Sequence, residues 1–383
     1  MVKLRLPFDR VNWTNSSFLI GTAIVTCTAV PYYLWHYGVD GFQVAMFFAF
    51  FIATGLSITL GYHRLFAHVA FQARWPVRLA TLIFGAAAFE NCAVAWVSDH
   101  RRHHKHVDHE EDPYDISKGF WHAHIGWILF KLNPEPPWDN IADLRKDKLV
   151  MWQDRHYVTI AVVVGFVLPA LLGYWHGGAL GALGGVLLAG VARVTAVQHM
   201  TFFINSLCHT IGRQPYSDRC SARDSWIMAL FTFGEGYHNY HHEFQHDYRN
   251  GVKWWQWDPT KWTIWTLEKV RLVRGLRRVP EEKVLLSQLA DTRRRLNERL
   301  ACAQTARNVR LHALLKASDA KLHHLGERWA SLKVQYAEKA AALKIEFTER
   351  AMLQYDEARA ALAEMRHEVQ RALELLERAR AGA

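Results

Sequence analysis

Long uncharged stretches dominate the first two thirds of the chain. Ser17 to Tyr37 contains no Asp, Glu, Lys or Arg, and neither does Gly41 to Tyr62. Each is close to the ~20 apolar residues that cross a hydrocarbon core. A third uncharged run, Tyr157 to Ala192, is too long for one crossing and is broken by His176-Gly177-Gly178. It is read as two helices joined by a tight turn, the second continuing through Arg193 towards His209. At ~1.5 Å per residue, Arg193 lies about 21 Å beyond Ala179, near the far interface. The pattern therefore predicts four spans, at about 17–37, 41–62, 157–176 and 179–204. Core helices of soluble proteins seldom run ~20 residues without a charge. The first stretch also exceeds the ~7–15 apolar residues of a secretory signal.

Charge sets the expected topology. The links Gly38-Val39-Asp40 and Gly177-Gly178 lack Lys and Arg, whereas the N-terminus (Lys3, Arg5, Arg10), residues 63–156 and everything after about 205 are rich in them. The positive-inside rule then places both termini and both large polar segments in the cytoplasm.

Beyond Pro280 the pattern changes. There is no further proline, only two glycines (Gly326 and Gly382), and Ala, Leu, Glu, Arg and Lys prevail. Leu322, Leu325, Trp329, Leu332 and Tyr336 step by three and four, and Leu362, Met365, Val369, Leu373 and Leu376 form a similar stripe. Such spacing predicts long amphipathic helices, as a coiled coil or helical hairpin, with register lost between Tyr336 and Leu362. Before them, Lys269, Arg271, Arg274, Arg277 and Arg278 make 269–280 a basic linker suited to anionic headgroups or to solvent. The expected organisation is a membrane domain over 1–268, the linker, and a helical extension over 281–383 that offers a surface for oligomerisation.

Composition narrows the class. Half of the 383 residues are hydrophobic and 13% aromatic, which excludes a disordered or collagen-like chain. The formal charge is +10, from 46 basic against 36 acidic residues. A basic cytoplasmic face suits an acidic protein partner, and nothing here calls for nucleic acid. The five cysteines (Cys27, Cys92, Cys208, Cys220, Cys302) form no CxxC pair, so neither a disulfide framework nor a thiolate metal centre is expected.

The histidines carry the chemistry. His63 and His68 follow the second uncharged run; His100, His103 and His104 lie in the first polar segment; Asn205 and His209 end the fourth predicted span; His238, His241 and His242 follow Gly234-Glu235-Gly236-Tyr237. Residues at i, i+3 and i+4 share a helix face, so each group projects together. Unbound, nine clustered imidazoles would each raise the cost of protonating the next. Imidazole is the commonest metal ligand, and nine nitrogens exceed the coordination sphere of one ion. A structural zinc closes with four ligands and a catalytic zinc with three. A pair of redox-active irons fits better, with copper or manganese left open by spacing alone.

The motifs His63-Arg64-Leu65-Phe66-Ala67-His68, His100-Arg101-Arg102-His103-His104 and His238-Asn239-Tyr240-His241-His242 resemble the three histidine boxes of the membrane fatty acyl desaturases, in particular the stearoyl-CoA desaturase group. The flanks agree: Asp112-Pro113, His124-Ile125-Gly126-Trp127, Leu149-Val150-Met151, Asn205-Ser206, Gly234-Glu235-Gly236 and Asp247-Tyr248. The likeness runs from about Asn12 to Lys261 and does not include the extension.

The resemblance implies an all-α fold: a four-helix transmembrane bundle under a cytoplasmic helical cap that carries the boxes. It implies one iron on His63, His68, His100, His104 and His241. The second would sit on His103, His209, His238 and His242, with Asn205 reaching it through a water. His106, His109, His122 and His124 fall outside that pattern. The implied reaction uses O2 and two electrons to place a cis double bond, expected at delta-9, in a saturated acyl chain held in an apolar tunnel. Trp96 and Thr201 match positions at the bend of that tunnel, and Asn91 and Asp99 match positions that contact CoA. Glu90 stands where relatives carry Gln, a costly neighbour for an acyl chain unless protonated or paired. The carrier is expected to be CoA, with acyl carrier protein or phospholipid as alternatives. The same scaffold would also serve a diiron hydroxylase of lipids or alkanes. No His-Pro-Gly-Gly haem anchor is present, so electrons are expected from a separate ferredoxin or cytochrome b5. The expected location is multi-pass in a bacterial inner membrane or the endoplasmic reticulum, with the metal site cytoplasmic.

Overall fold

The computed structural model describes residues 8–131, 137–302, 308–345 and 349–381. Lys3, Arg5 and Gly382 lie outside the described residues, as do the side chains of Cys302, Leu322, Leu373 and Leu376. The chain is mostly helical and divides into two compact units: Met1–Arg213 with Cys220–Arg278, and Gln214–Arg219 with Val279–Ala383.

In the first unit, three helical runs are long and apolar enough to cross a membrane: Trp13–Tyr37, Gly41–Ala67 and Lys148–His209. The first joins α1 (Trp13–Cys27) to α2 (Ala29–Tyr37), and Asn12 caps it by accepting the Asn15 amide at 3.2 Å. The second begins with α3 (Gly41–Leu56), where Asp40 and Gln43 cap each other reciprocally. Its last part, Ser57–Ala67, widens into π-helical turns. All three runs outreach the uncharged stretches, because helical hydrogen bonding continues where apolar character stops.

The third run is 62 residues long and folds back on itself. It comprises α8 (Lys148–Val162) and α9 (Leu168–Gly184), then a wide-turn stretch, Gly185–Ala192, that leads into α10 (Arg193–Ser206). The reversal falls within α9 at Gly177-Gly178, where Gly178 has φ +59°, a left-handed conformation that costs glycine little. The two arms pack backbone to backbone. A Cβ on Gly173 would stand 2.1 Å from the Gly181 carbonyl oxygen, and one on Gly185 2.2 Å from that of Pro169. Arg193 is fully buried and donates to the carbonyls of Ala189, Ala87 and Gly165, so protein dipoles meet its charge.

Between these runs lie α4 (Trp75–Ala86), apolar but short, α5 (Ala93–His106), and two brief turns, α6 (Trp127–Leu129) and α7 (Ala142–Arg145). After them come α11 (Trp226–Phe231), α12 (His238–Glu243) and α13 (Pro259–Lys269). A core of Tyr62, Phe71, Leu82, Val97, Ile141, Val150 and Ile264 ties these pieces to the second run. The all-α pattern is interrupted by β1 (Gln72–Ala73), which pairs antiparallel with β2 (Val273–Arg274). The Arg277 amide donates to Ala70 at 2.9 Å, so 270–278 is packed chain within this unit.

In the second unit, α14 (Glu281–Cys302), α15 (Asn308–Ile345) and α16 (Glu349–Ala381) share a core of Leu289, Leu325, Met365, Val369 and Ala372, with Trp329 and Leu332 at its edge. Tyr336–Tyr355 and Arg328–Glu368 contacts pair α15 with α16 antiparallel.

Candidate metal centre

Four short pieces of the first unit deliver the histidines. The π-helical stretch carries His63, and His68 follows it; the His68 amide donates to the His63 carbonyl at 3.1 Å. This i→i+5 bond brings residues five apart to one side, which a regular α-turn would not do. The end of α5 supplies His100, His103 and His104, the chain just past α10 supplies His209, and α12 supplies His238, His241 and His242.

The nine rings gather into two clusters. His63, His68, His100, His104 and His241 form one, and His103, His209, His238 and His242 the other, with all ligand atoms in each within 4.8 Å of one another. In the first, His68 Nε2 is 2.8 Å from His100 Nε2, His63 Nε2 is 3.0 Å from His241 Nε2, and His104 Nε2 is 2.9 Å from His241 Nε2. In the second, His238 Nε2 lies 3.1 Å from His209 Nε2 and 3.0 Å from His242 Nε2, and His103 Nε2 lies 3.3 Å from His242 Nε2. Asn205 lines the cavity beside both sets, with His63, His100, His103 and His238. His106 stays at the edge, 3.7 Å from Glu111. His124 packs elsewhere, against Ser206 and His199.

The outward nitrogens explain which way the lone pairs point. His63 Nδ1 is 2.9 Å from Glu235 Oε2, and His103 Nδ1 is 2.9 Å from the Asp112 carboxylate. His209 Nδ1 meets the Ser221 hydroxyl at 2.6 Å, and that hydroxyl donates to Asp108. The His103 and His209 rings, hydrogen-bonded this way, keep their proton on Nδ1 and turn an acceptor inward at Nε2. Burial, reinforced by neighbouring imidazoles, pushes His68, His100, His104, His238, His241 and His242 well below the usual histidine range. Protonation therefore does not relieve the crowding of lone pairs at about 3 Å. Bound cations would, and the donor chemistry of the clusters, nitrogen throughout, fits iron, zinc, copper or nickel.

Arg64 anchors the first cluster from behind. It is 1% exposed, donates to Glu235 Oε1 at 2.8 Å and Tyr248 O at 2.8 Å, and sits 3.0 Å from Asp258 Oδ1. Burial alone would raise Glu235, but Arg64 and His63 outweigh it and hold the carboxyl below its ordinary value. Asp112 is likewise kept low by His103 against the effect of burial.

A cleft of about 540 Å³, lined among others by Asn91, Asp99, Tyr114, Lys131 and Trp138, opens beside the clusters. Trp96 belongs both to this cleft and to the cavity at the histidines. That cavity shares Ile58, Thr59, Thr201 and Ile204 with a narrow one ending at Gly55, Phe231 and Phe233. Trp96 stacks on His100 with centroids 4.8 Å apart. Its indole N–H donates to Glu90 Oε2 at 3.3 Å, and the Thr201 hydroxyl donates to Glu90 Oε1 at 2.8 Å. Burial pushes the Glu90 carboxyl up to about 8, the two donors opposing it only in part. Asn91 uses its own Oδ1 to accept the Cys92 amide. Burial raises Asp99 to about 7.

Of the supporting groups, Glu235 and Asp112 stood next to the boxes in sequence. Arg64 lay inside one without being singled out, and Asp108 and Ser221 carried no sequence signal.

Residues 40–267 match the family model described as fatty acid desaturase. Acyl-CoA desaturase 1 of Saccharomyces cerevisiae is 40% identical over 301 residues, covering 76% of this chain and 57% of that protein. A probable acyl-CoA desaturase of Schizosaccharomyces pombe is 43% identical over 237 residues, 61% of this chain and 49% of that one. The human stearoyl-CoA desaturase is 33% identical over 268 residues, 69% and 71% respectively. The chain thus spans about half the length of the two fungal relatives.

Proposed function

The chain belongs to the fatty acid desaturase family, and from that premise we propose that it introduces a cis double bond, at delta-9, into a saturated acyl chain carried by CoA. The observation that carries the reading is the convergence of nine Nε2 atoms into two clusters beside a channel wall of Trp96, Thr201 and Ile204. His63, His68, His100, His104 and His241 would hold one iron; His103, His209, His238 and His242 would hold the other, with Asn205 acting through a water. When bound, the pair supplies the oxidising power, drawn from O2 and two electrons, that an unactivated methylene requires.

The protein's share is position and exclusion. The carrier rests in the cleft at Asn91, Asp99 and Lys131, and the acyl chain passes Trp96 and Thr201 beneath the clusters. Its methyl end lies towards Gly55 and Phe233. Double-bond position is then a length measured from the carrier to the metals. Glu90 serves as a neutral carboxylic acid at the bend, taking hydrogen bonds from Trp96 and Thr201 without putting a charge against the chain.

The two arms of the 62-residue run, with the first two runs, make four passes, and the Lys/Arg bias puts both termini and the metals on the cytoplasmic side. Residues 1–268 form the enzyme together with the packed chain of 270–278, and 281–383 form an added helical, coiled-coil-like unit. A separate ferredoxin or cytochrome b5 delivers electrons to the basic face. The test is conversion by the purified, iron-loaded chain, with O2 and a reduced donor, of stearoyl-CoA, stearoyl-acyl carrier protein and stearoyl phospholipid. Unsaturated product from the CoA thioester is expected; product from another carrier alone would overturn that assignment, and hydroxylated product would overturn the reaction.

A further inference from the structure

The second unit contains one piece of chain far from its own sequence. Gln214–Arg219 belongs to it, although the chain up to Arg213 and from Cys220 belongs to the first unit. Within the second unit, Arg294 on α14 pairs with Asp218 at 2.7 Å, the Ser287 hydroxyl donates to Tyr216 O at 2.7 Å, and Arg295 donates to Gln214 O. Asp291 orients both arginines, at 2.8 Å from Arg294 and 2.7 Å from Arg295. Two of these three contacts take backbone carbonyls, so they fix the path of the loop itself.

Two residues past Arg219 stands Ser221. Its hydroxyl accepts the His209 Nδ1–H at 2.6 Å and donates its own hydrogen bond to Asp108 Oδ1, while its amide donates to Asp108 Oδ2 at 2.6 Å. Asp108 is held at φ +64°, and its amide donates to Asp112, the carboxylate that orients His103. One turn, 108–112, therefore steers two of the four histidines of the second cluster, and one of those two depends on where the chain places Ser221.

We infer that the α14–α16 unit is a positioning device for the second metal: by gripping 214–219 it fixes Ser221, and through Ser221 and Asp108 it fixes His209. The inference rests on the proposed two-iron reading and assigns the extension a task within it. Groups that orient metal-bound histidines typically change metal affinity by about 10–100-fold when removed.

The experiment follows iron release from the full chain to a chelator. In Ser221→Ala, one of the two irons should leave at least about tenfold faster while the other keeps its wild-type rate. The double variant Arg294→Ala/Arg295→Ala should show the same asymmetry, as should Asp218→Asn, which leaves the helices of the extension untouched. Ser221→Thr, which keeps the hydroxyl, should restore slow release. Wild-type release from the arginine and Asp218 variants, or equal acceleration of both irons, overturns the inference. A wild-type chain that binds no second iron removes the two-iron reading and this inference together; unaffected variants of a two-iron chain remove this inference alone.

Discussion

The wild-type chain should lose activity at alkaline pH, and replacing Glu90 with Gln should abolish that loss. The carboxyl is buried, its two contacts are uncharged donors, and burial pushes its pKa up to about 8 from the ordinary value of 4.5. Between those values the folded chain keeps a proton that the unfolded chain has released. Stability therefore declines as pH rises through that window and levels off above it. The cost of burying the acid reaches on the order of 5 kcal/mol at the upper end. On the proposed reading the neutral form is the competent one, because a carboxylate would face the apolar chain. One pH unit above about 8, roughly a tenth of the molecules remain neutral, so kcat/KM should fall about tenfold between pH 7 and pH 9. The amide of Gln can accept from Trp96 with its oxygen and donate to the Thr201 hydroxyl, and it cannot ionise, so Glu90→Gln should run flat over that range. The assay is kcat/KM for stearoyl-CoA against pH with the same donor for both proteins. An identical alkaline limb in the two would refute the reasoning.

Further outcomes follow from the same geometry. His103→Ala removes a member of the second cluster and should abolish double-bond formation while circular dichroism stays unchanged; normal product would refute the site. Gly55→Leu should shift product towards shorter acyl chains, since even a Cβ there stands 2.2 Å from the Phe233 ring; an unaltered chain-length profile would show that the acyl chain does not reach it. Arg64→Leu strands Glu235 and Asp258 without their buried cation and should cost about 3–5 kcal/mol, seen as a lower melting temperature or loss of folded protein. A change below about 1 kcal/mol would mean the carboxylates are met in some other way.

Much of the site was legible because helical periodicity places i, i+3 and i+4 together: the groups on α5 and α12 follow from spacing alone. His63 and His68 are five apart, and only the widened turns of Ser57–Ala67 explain why they meet. No periodicity reports such a widening. The glycines of the third uncharged run announced its reversal, but the backbone contact of Gly173 with Gly181 is a tertiary fact. Helix limits were less legible, as Trp13 and Lys148 start helices in polar sequence where the hydrophobic criterion has nothing to detect. Ser221 and Asp108, 113 residues apart, meet through loops that carry no pattern at all. Glu90 shows the opposite case: its departure from the family residue was plain, and the structure supplied the burial and the two donors that account for it.

The most direct test of the central claim is lipid analysis of a desaturase-deficient host expressing the full chain. Saturated acyl chains that lose two hydrogens at one position, with the wild-type chain and not with His103→Ala, are the predicted result. Chains that gain an oxygen instead, or a lipid profile identical with and without the protein, would contradict it.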